Sequence, residues 1–282
     1  MTRQPHKYEY EPQPNSAPPR VVRLVGDDKR VLELGPGPGA ITNLLKDNRC
    51  RVTALELDPD AIEIVAQYCE HVYSCDLNDP SWPQTLAGAD KFDVIVAADV
   101  LEHLYDPWNT LRNLPPLLAD DGYVVISLPH VGHNAVTACL IAGDLEYQPW
   151  GLLDKTHIRF FGIKNIQKLF NDAGFKIVEV EFVVKTPEQT EIAPHWLRLP
   201  AETRQVLGYS KFGTVYQVVV KAVPESAPGK GLDIASVPIP PPSAGPFSRG
   251  ARGRFWAFIL SLLSLKNRNR LDRIFERIGF RS

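Results

Sequence analysis

The side chains best suited to moving a proton lie in one stretch of the chain, from His130 to Arg159. It contains three of the seven histidines, His130, His133 and His157, and a carboxylate at Asp154. An imidazole titrates near neutral pH, and a nearby carboxylate can orient the ring and raise its basicity. We therefore expect His157 to be a general base partnered by Asp154, with His133 as the second candidate for the base.

Each of these residues also has a structural interpretation. Residues 154–157 (Asp-Lys-Thr-His) could simply form a turn, and loop histidines are more often hydrogen-bonded structural groups than bases. Arg159 could anchor an acidic or hydroxylated substrate through its guanidinium group. His103, which follows another apolar run, could line an acceptor pocket or cap a helix.

A glycine-rich turn after a short apolar run is predicted to bind a ligand beside these residues. Val31 to Leu34 carries one acid, Glu33, and meets Gly35, Gly37 and Gly39 at alternate positions. Glycine permits backbone angles that other residues avoid, and it lets a ligand approach the backbone closely. The pattern is typical of a buried parallel strand ending beneath a nucleotide-like ligand, where Glu33 could receive a ligand ammonium group.

Three more apolar runs end in an acid. The carboxylate of Glu56 can accept both hydroxyls of a ribose, and an acid at this position has little structural reason to be there. Asp76 can hold an adenine amino group, and Asp99 ends the run that begins at Phe92. The predicted ligand contacts are completed by the residues that follow these acids: Leu57, Leu77 and Val100.

The glycines alone also fit the dinucleotide-binding pattern, as Gly35-x-Gly37-x-x-Ala40. Together with the ribose acid, the adenine acid and Asp99-x-x-Glu102-His103, however, the chain resembles the class I S-adenosylmethionine-dependent methyltransferases. The resemblance implies S-adenosyl-L-methionine as cofactor. It also implies an α/β fold: a Rossmann-like, doubly wound, seven-stranded sheet of order 3-2-1-4-5-7-6 whose last strand is antiparallel.

Residues 143–161 resemble one methyltransferase subgroup more specifically. Gly143-x-x-x-Tyr147, followed by Gly151-Leu-Leu-Asp-Lys-Thr-His-Ile-Arg-Phe-Phe161, is similar to proteins associated with glycosyltransferases of bacterial surface polysaccharides. This implies an O-methyltransferase acting on a sugar hydroxyl of a glycan or glycosylated metabolite, and a glycosyltransferase as partner. The expected acceptor contacts are His103, His130, Tyr147 and Arg159, although the subgroup usually has Asn in place of His130.

Two other functions stay open at this point. One is a small-molecule methyltransferase of natural-product or quinone biosynthesis, and the other is a catalytically silent cofactor-binding partner of a glycosyltransferase. No metal is expected, because the metal-dependent catechol type places an Asp-Asn pair where this chain has Pro129 and His130. The chemistry itself needs only in-line alignment and removal of a proton.

The chain is predicted to have four parts: a disordered tail (1–18), a methyltransferase domain (19–223), a Pro/Gly/Ser-rich linker (224–253) and a basic amphipathic helical tail (254–282). Within the domain, a helix is expected over 108–118 and a fifth strand over 124–128. Residues 185–199 form an insertion before the last strand, either a lid over the acceptor or a plain connection. The linker composition predicts too little apolar surface for ordering.

Charge is divided unevenly along the chain, whose net charge is −2. After residue 248 there are nine Lys or Arg and two acids, a net +7, which leaves −9 for the rest. The net negative charge of residues 1–248 argues against nucleic acid as a partner. The tail is expected to lie on an anionic membrane surface, or to dock on the protein's own body or a second copy. No signal peptide is visible, so we expect a cytoplasmic protein, peripheral to the membrane if the tail binds there.

Overall fold

Seven strands form one mixed sheet in the order β3-β2-β1-β4-β5-β7-β6, as the resemblance implied. The structure is a computed structural model and describes residues 15–242. Strands β1 to β5 run parallel, and β7 is antiparallel to both of its neighbours. The strands are β1 (Arg30–Leu34), β2 (Arg51–Glu56), β3 (His71–Ser74), β4 (Phe92–Ala98), β5 (Leu118–Pro129), β6 (Phe175–Val184) and β7 (Val215–Pro224).

Helices cover both faces of this sheet. Alternate residues of β4 enter different apolar clusters: Ile95 packs with α4 and α6, and Val96 packs with α1, α2 and α5. Both clusters are almost fully buried, so the parallel strands are apolar on both faces. The helices are α1 (Ala17–Val25), α2 (Ala40–Asp47), α3 (Pro59–Val65), α4 (Pro107–Arg112), α5 (Asn134–Ile141), α6 (Ile163–Asp172), α7 (Ala193–Arg198) and α8 (Ala201–Leu207).

The helix expected over 108–118 is shorter in the structure. It begins with Asp106 as its cap, whose side chain accepts a hydrogen bond from the Asn109 amide, and it ends at Arg112. A 3₁₀ turn at Pro115–Leu117 follows, because adjacent prolines lack the amide hydrogens that an α-helix requires. Strand β5 therefore starts at Leu118, six residues earlier than expected.

The first part of the predicted linker packs on the domain. Ile234 is fully buried, and Lys176 Nζ donates hydrogen bonds to the carbonyls of Glu225, Ala227 and Gly229. The expectation of an unpacked segment is wrong here because a few spaced apolar residues suffice to anchor a proline-rich chain. Helix α1 likewise begins inside the predicted N-terminal tail. The tail at 254–282 lies outside the described residues.

The insertion at 185–199 also packs on the domain. Trp196 in α7 is buried against Ala138 of α5 and Leu199, which ties the insertion to the helix layer. Among residues 15–242, no helix is both long enough and apolar enough to span a bilayer.

Candidate active site

The glycine-rich turn lies at the edge where strands β1 to β5 end. Gly35, Gly37 and Gly39 all have left-handed backbone angles, with φ of +58°, +55° and +88°. A Cβ at Gly35 would lie 3.0 Å from Val100, and one at Gly39 would lie 2.9 Å from Val65. At Gly37 nothing described lies within 4 Å of that position. Gly35 and Gly39 thus allow close packing, whereas Gly37 faces space that a ligand could occupy.

Glu33 lies beneath this turn with only 2% of its surface exposed. Its Oε2 accepts a hydrogen bond of 2.7 Å from Thr42 Oγ1. Burial raises the pKa of this carboxyl to about 7, because the charged form loses solvent, and Glu56 adds a smaller upward effect. A ligand ammonium group would offset that loss, so the site suits a cation.

Glu56 at the end of β2 already has three donors. Its Oε2 accepts from the Gly37 amide at 2.8 Å, and Oε1 accepts from the amides of Leu57 and Asp58 at 2.7 and 2.9 Å. The sequence predicts little structural reason for an acid at this position. That prediction is wrong, because the carboxylate of Glu56 holds the glycine turn. A carboxylate has about four lone-pair positions, so it can still accept from a ligand hydroxyl.

The adenine acid follows β3. Asp76 is exposed, and its Oδ1 accepts from the Asn78 amide at 2.8 Å in a local turn. Leu57 is 56% exposed, which is unusual for a leucine, whereas Leu77 packs on the core. Leu57 and Asp76 could therefore offer an apolar contact and an acceptor to a flat ring.

Asp99 and Val100, expected to contact the cofactor, use their side chains within the protein. Asp99 has a φ of +56°, and its carboxylate accepts hydrogen bonds from Ser127 Oγ at 2.7 Å and Gln217 Nε2 at 2.9 Å. Val100 is buried beneath Gly35. Val100 thus offers only its backbone at the turn, whereas Asp99 is exposed and its carboxylate can still accept from a ligand.

Next to this turn, Glu102 and His157 meet. Glu102 is fully buried, and within residues 15–242 neither of its carboxyl oxygens makes a hydrogen bond. His157 Nε2 lies 3.9 Å from Glu102 Oε1. The ring of His103 meets that of His157 edge-on at 4.8 Å, and His103 Nδ1 lies 3.1 Å from the Thr156 carbonyl.

Burial sets the protonation of this pair. It lowers the pKa of His157 to about 4, with His103 as the second cause, and raises the pKa of Glu102 well above its usual range. His157 is therefore uncharged at neutral pH, and burial favours the protonated form of Glu102. Asp154 raises the pKa of His157, as expected from the sequence, but the loss of solvent lowers it by more, so the net shift is downward.

The Asp154 side chain acts on His157 through its charge, and its hydrogen bonds go to Thr156. Its Oδ1 accepts hydrogen bonds from the amide and hydroxyl of Thr156 at 2.8 and 2.7 Å, and its carbonyl accepts from the His157 amide. It shapes the turn, which is the structural alternative raised from the sequence. Glu102 is the acid beside the ring, and the signal for it was the Asp99-x-x-Glu102-His103 motif that follows strand β4.

His130 and His133 have structural roles. His130 is buried, and its Nδ1 lies 3.2 Å from the Val215 carbonyl. His133 caps α5: Nδ1 accepts from the Ala135 amide at 3.2 Å, and Nε2 lies 2.9 Å from the Lys185 carbonyl. Burial lowers the pKa of His133 to about 4. These contacts favour structural roles, and His133 as a base and His130 as an acceptor contact stay predictions.

The two remaining acceptor candidates differ in their surroundings. Arg159 donates to the Tyr105 carbonyl, and its guanidinium carbon lies 5.6 Å from the centre of the Trp108 ring. It braces the loop after β4 rather than standing open for an acceptor. Tyr147 is 60% exposed on the segment after α5.

Glu102, His103 and His157 could also hold a metal ion. One ligand atom from each lies within 4.8 Å of the others. Imidazole nitrogens and a carboxylate oxygen suit a divalent cation such as Zn²⁺. This trio differs from the ligand set considered in the sequence, so the expectation of a metal-free site is a matter for experiment.

Comparison with known sequences gives a consistent family. A sequence model described as a methyltransferase domain matches residues 8–180, more than half of the chain. A ubiquinone biosynthesis O-methyltransferase from Haemophilus ducreyi is 28% identical over 105 residues, which cover 35% of this chain and 44% of that protein. A release factor glutamine methyltransferase from Salmonella typhimurium is 28% identical over 171 residues, 56% of this chain and 49% of that protein. The chain spans about half the length of the first curated relatives it matches.

Solved structures agree on the fold. A protein from Bacillus halodurans C-125 that was crystallised as a methyltransferase candidate has a TM-score of 0.52 at 16% identity, covering 74% of this chain and 99% of that one. An S-adenosylmethionine-dependent methyltransferase from Thermotoga maritima has a TM-score of 0.50 at 17% identity, covering 74% and 87%. At such identities the likeness concerns the fold alone.

Proposed function

The chain belongs to the methyltransferase domain family, and we propose that it is an S-adenosylmethionine-dependent methyltransferase. We propose further that its acceptor is a hydroxyl group on a small, partly apolar molecule of the quinone-precursor type. The observation that carries the proposal is an uncharged His157 held beside the buried carboxyl of Glu102. The names of several curated relatives support an O-methyltransferase.

The surroundings of the pair support an apolar acceptor. Tyr105, Ile158 and Phe160 are all exposed, and they are neighbours in sequence of His103, His157 and Arg159. Exposed aromatic and aliphatic side chains beside a polar pair suit a ring that carries one reacting hydroxyl. A sugar would instead need several hydrogen-bonding side chains, and the histidine expected to supply one, His130, is buried.

The residues divide the work as follows. Glu33 would bind the ammonium group of the cofactor, Glu56 its ribose and Asp76 its adenine. When bound, the cofactor supplies an electrophilic methyl group on a sulfonium. The acceptor oxygen would bond to the methyl carbon as the carbon–sulfur bond breaks and sulfur leaves as a neutral thioether, and the acceptor's O–H proton would pass to His157. The positive charge that develops on the ring lies 3.9 Å from Glu102 Oε1, whose lone pairs would stabilise it.

The test compares acceptor classes with one readout, formation of S-adenosylhomocysteine. We expect turnover with 3,4-dihydroxybenzoate and its alkylated analogues, and none with UDP-glucose or UDP-galactose. Turnover with the sugar nucleotides alone would instead indicate that the acceptor is a sugar hydroxyl. S-Adenosylhomocysteine binding without turnover on either panel would favour the catalytically silent partner.

A second arm tests the metal-free mechanism. With His157 as the base, turnover after dialysis against EDTA should equal that of untreated protein. A loss with EDTA that Mg²⁺ or Zn²⁺ restores would assign Glu102, His103 and His157 to a cation instead. In that case the cation would hold the ionised acceptor oxygen directly.

The basic residues 254–282 need their own experiment. Their apolar residues at helical spacing and their flanking arginines favour docking on an acidic surface, and residues 1–248, with a net charge of −9, offer one. We propose docking on this protein or a partner subunit. Full-length protein and a chain ending at residue 248 should then sediment equally with phosphatidylserine vesicles. Sedimentation of the full-length protein alone would show membrane binding.

A further inference from the structure

We propose that Glu191, in the insertion before β7, is a positioning residue that fixes the turn leading to His157. The inference rests on the proposed role of His157 as the base. No sequence pattern indicates this role, because Glu191 lies more than thirty residues from that histidine along the chain.

The carboxylate of Glu191 joins two elements. Its Oε1 accepts a hydrogen bond of 2.5 Å from the Leu152 amide, and its Oε2 accepts one of 3.0 Å from the Tyr216 hydroxyl. Tyr216 lies in β7 and is buried, so its position is set by the sheet. Glu191 therefore ties the loop at residues 151–157 to the sheet itself.

Gly151 shows how closely the carboxylate approaches. Its φ is +92°, and a Cβ at this position would overlap the carboxyl group of Glu191. Both the backbone angle and the contact require glycine. The Gly-Leu-Leu sequence is thus explained by the approach of Glu191: glycine makes room for the carboxylate, and the next residue donates to it.

Short hydrogen-bonded steps carry this constraint to His157. The Asp154 amide donates to the Gly151 carbonyl at 3.2 Å, and the His157 amide donates to the Asp154 carbonyl at 3.0 Å. Leu152 and Leu153 are buried between these steps. A displacement of the Leu152 amide would therefore reach the backbone of His157 through these two hydrogen bonds.

The segment that carries Glu191 is itself well held. Its neighbours Thr190 and Ile192 are buried, and the Thr190 hydroxyl donates to the Pro187 carbonyl at 2.8 Å. A catalytic group needs such support, since small displacements of a base reduce its contribution steeply. The insertion therefore serves as a brace for the catalytic loop rather than as a mobile lid.

Glu188 provides a matched control. It lies in the same insertion, and its Oε1 accepts from the Trp196 indole at 2.6 Å. That bond stays within the insertion and does not reach residues 151–157. Glu188→Ala thus removes an acid and a hydrogen bond of similar length without disturbing the loop.

The first measurement is amide hydrogen exchange in the full-length protein. We expect Glu191→Ala to speed exchange at Leu152 at least tenfold, with Glu188→Ala unchanged there. Glu191→Gln keeps an oxygen that can accept from this amide, so it should stay within a few-fold of wild type, and it serves if the alanine variant does not fold. Wild-type exchange in Glu191→Ala would overturn the proposal.

The second measurement is turnover in a double-mutant cycle, using the catechol that serves best as acceptor. Glu191→Ala should lower kcat by tenfold or more with the affinity for S-adenosylhomocysteine unchanged, and should cost little more once His157 is already alanine. An equal loss in both backgrounds would overturn positioning through His157. If His157→Ala keeps full turnover, the proposed base is wrong, and the exchange result still reports whether Glu191 holds the loop.

Discussion

The carboxyl edge of the sheet has two halves, one at the glycine turn and one after β4, and their acidic side chains differ in hydrogen bonding. On the glycine-turn side, Glu56 accepts three backbone amides and Asp76 accepts one. On the side of β4, Glu102 is more deeply buried, yet neither of its oxygens has a hydrogen-bond partner within residues 15–242. Buried polar groups without partners are rare in native proteins, because each costs about 1–3 kcal/mol.

This difference separates two kinds of site. The first half is organised before any ligand arrives, since Glu56 holds the glycine turn that we propose binds the cofactor. The second half contains the pair Glu102 and His157, whose buried polar atoms lack partners among residues 15–242 and suit an acceptor hydroxyl or a cation. We expect changes in the first half to reduce binding and changes in the second to reduce turnover.

The largest expected effect is on turnover. His157→Ala should reduce it by roughly 10²–10⁴, the usual contribution of a positioned base. Calorimetric titration with S-adenosylhomocysteine should give an affinity within about twofold of wild type. His71→Ala, at an exposed histidine of β3, is the control and should change neither quantity. Full turnover in His157→Ala would remove this residue from the mechanism.

Binding should respond most to Glu56→Ala. Hydrogen bonds to a charged acceptor are worth roughly 1.5–3 kcal/mol, so losing those to the ribose should weaken S-adenosylhomocysteine at least tenfold. Loss of the contact to the Gly37 amide adds to the effect because the turn loses its support. Glu63→Ala, at an exposed acid of α3, is the matched control. Unchanged calorimetric affinity in Glu56→Ala would refute the ribose assignment.

Glu33 should make cofactor binding depend on pH. With a pKa of about 7, its carboxyl is mostly neutral at pH 6 and mostly ionised at pH 8. S-Adenosylhomocysteine should therefore bind roughly tenfold more tightly at pH 8. Glu33→Gln should bind weakly with little dependence on pH. If the affinity of Glu33→Gln for S-adenosylhomocysteine depended on pH as strongly as that of wild type, another group would be titrating.

The smallest effect concerns stability. The folded-state pKa of Glu102 is raised, so the native protein keeps a proton that the unfolded chain has released above about pH 4.5. Stability from this group therefore falls as the pH rises from that point through the folded pKa. Glu102→Met should raise Tm by a few degrees at pH 8 and less at pH 5, while turnover falls. A lower Tm at pH 8 would contradict this.

The sequence predicted the first half better than the second for a physical reason. Glycines with positive φ and acids at strand ends act through nearby backbone, so their spacing carries the information. His130 and His133 instead meet the carbonyls of Val215 and Lys185, more than fifty residues away. Strand order can be inferred from a resemblance, but such contacts depend on how an insertion folds.

The side chains within 151–157 show the same limit. Asp154 and Thr156 form a turn that the sequence itself allows, and the alternative was visible from the start. Burial of Glu102 and its effect on His157 could not be inferred, because neither periodicity nor spacing reveals that a carboxyl has lost all its partners. The sequence was therefore insufficient to predict protonation wherever burial sets the pKa.

The direction of β7 has a consequence for how this protein could change. Because β7 is antiparallel to β5, it begins at the same edge where the parallel strands end. Everything between β6 and β7, residues 185–214, is therefore delivered to the acceptor side and returned without crossing the sheet. Its length and composition can vary while the strand register and the glycine turn stay intact. A library confined to these residues, with Glu191 kept, would explore new acceptors on an unchanged cofactor site.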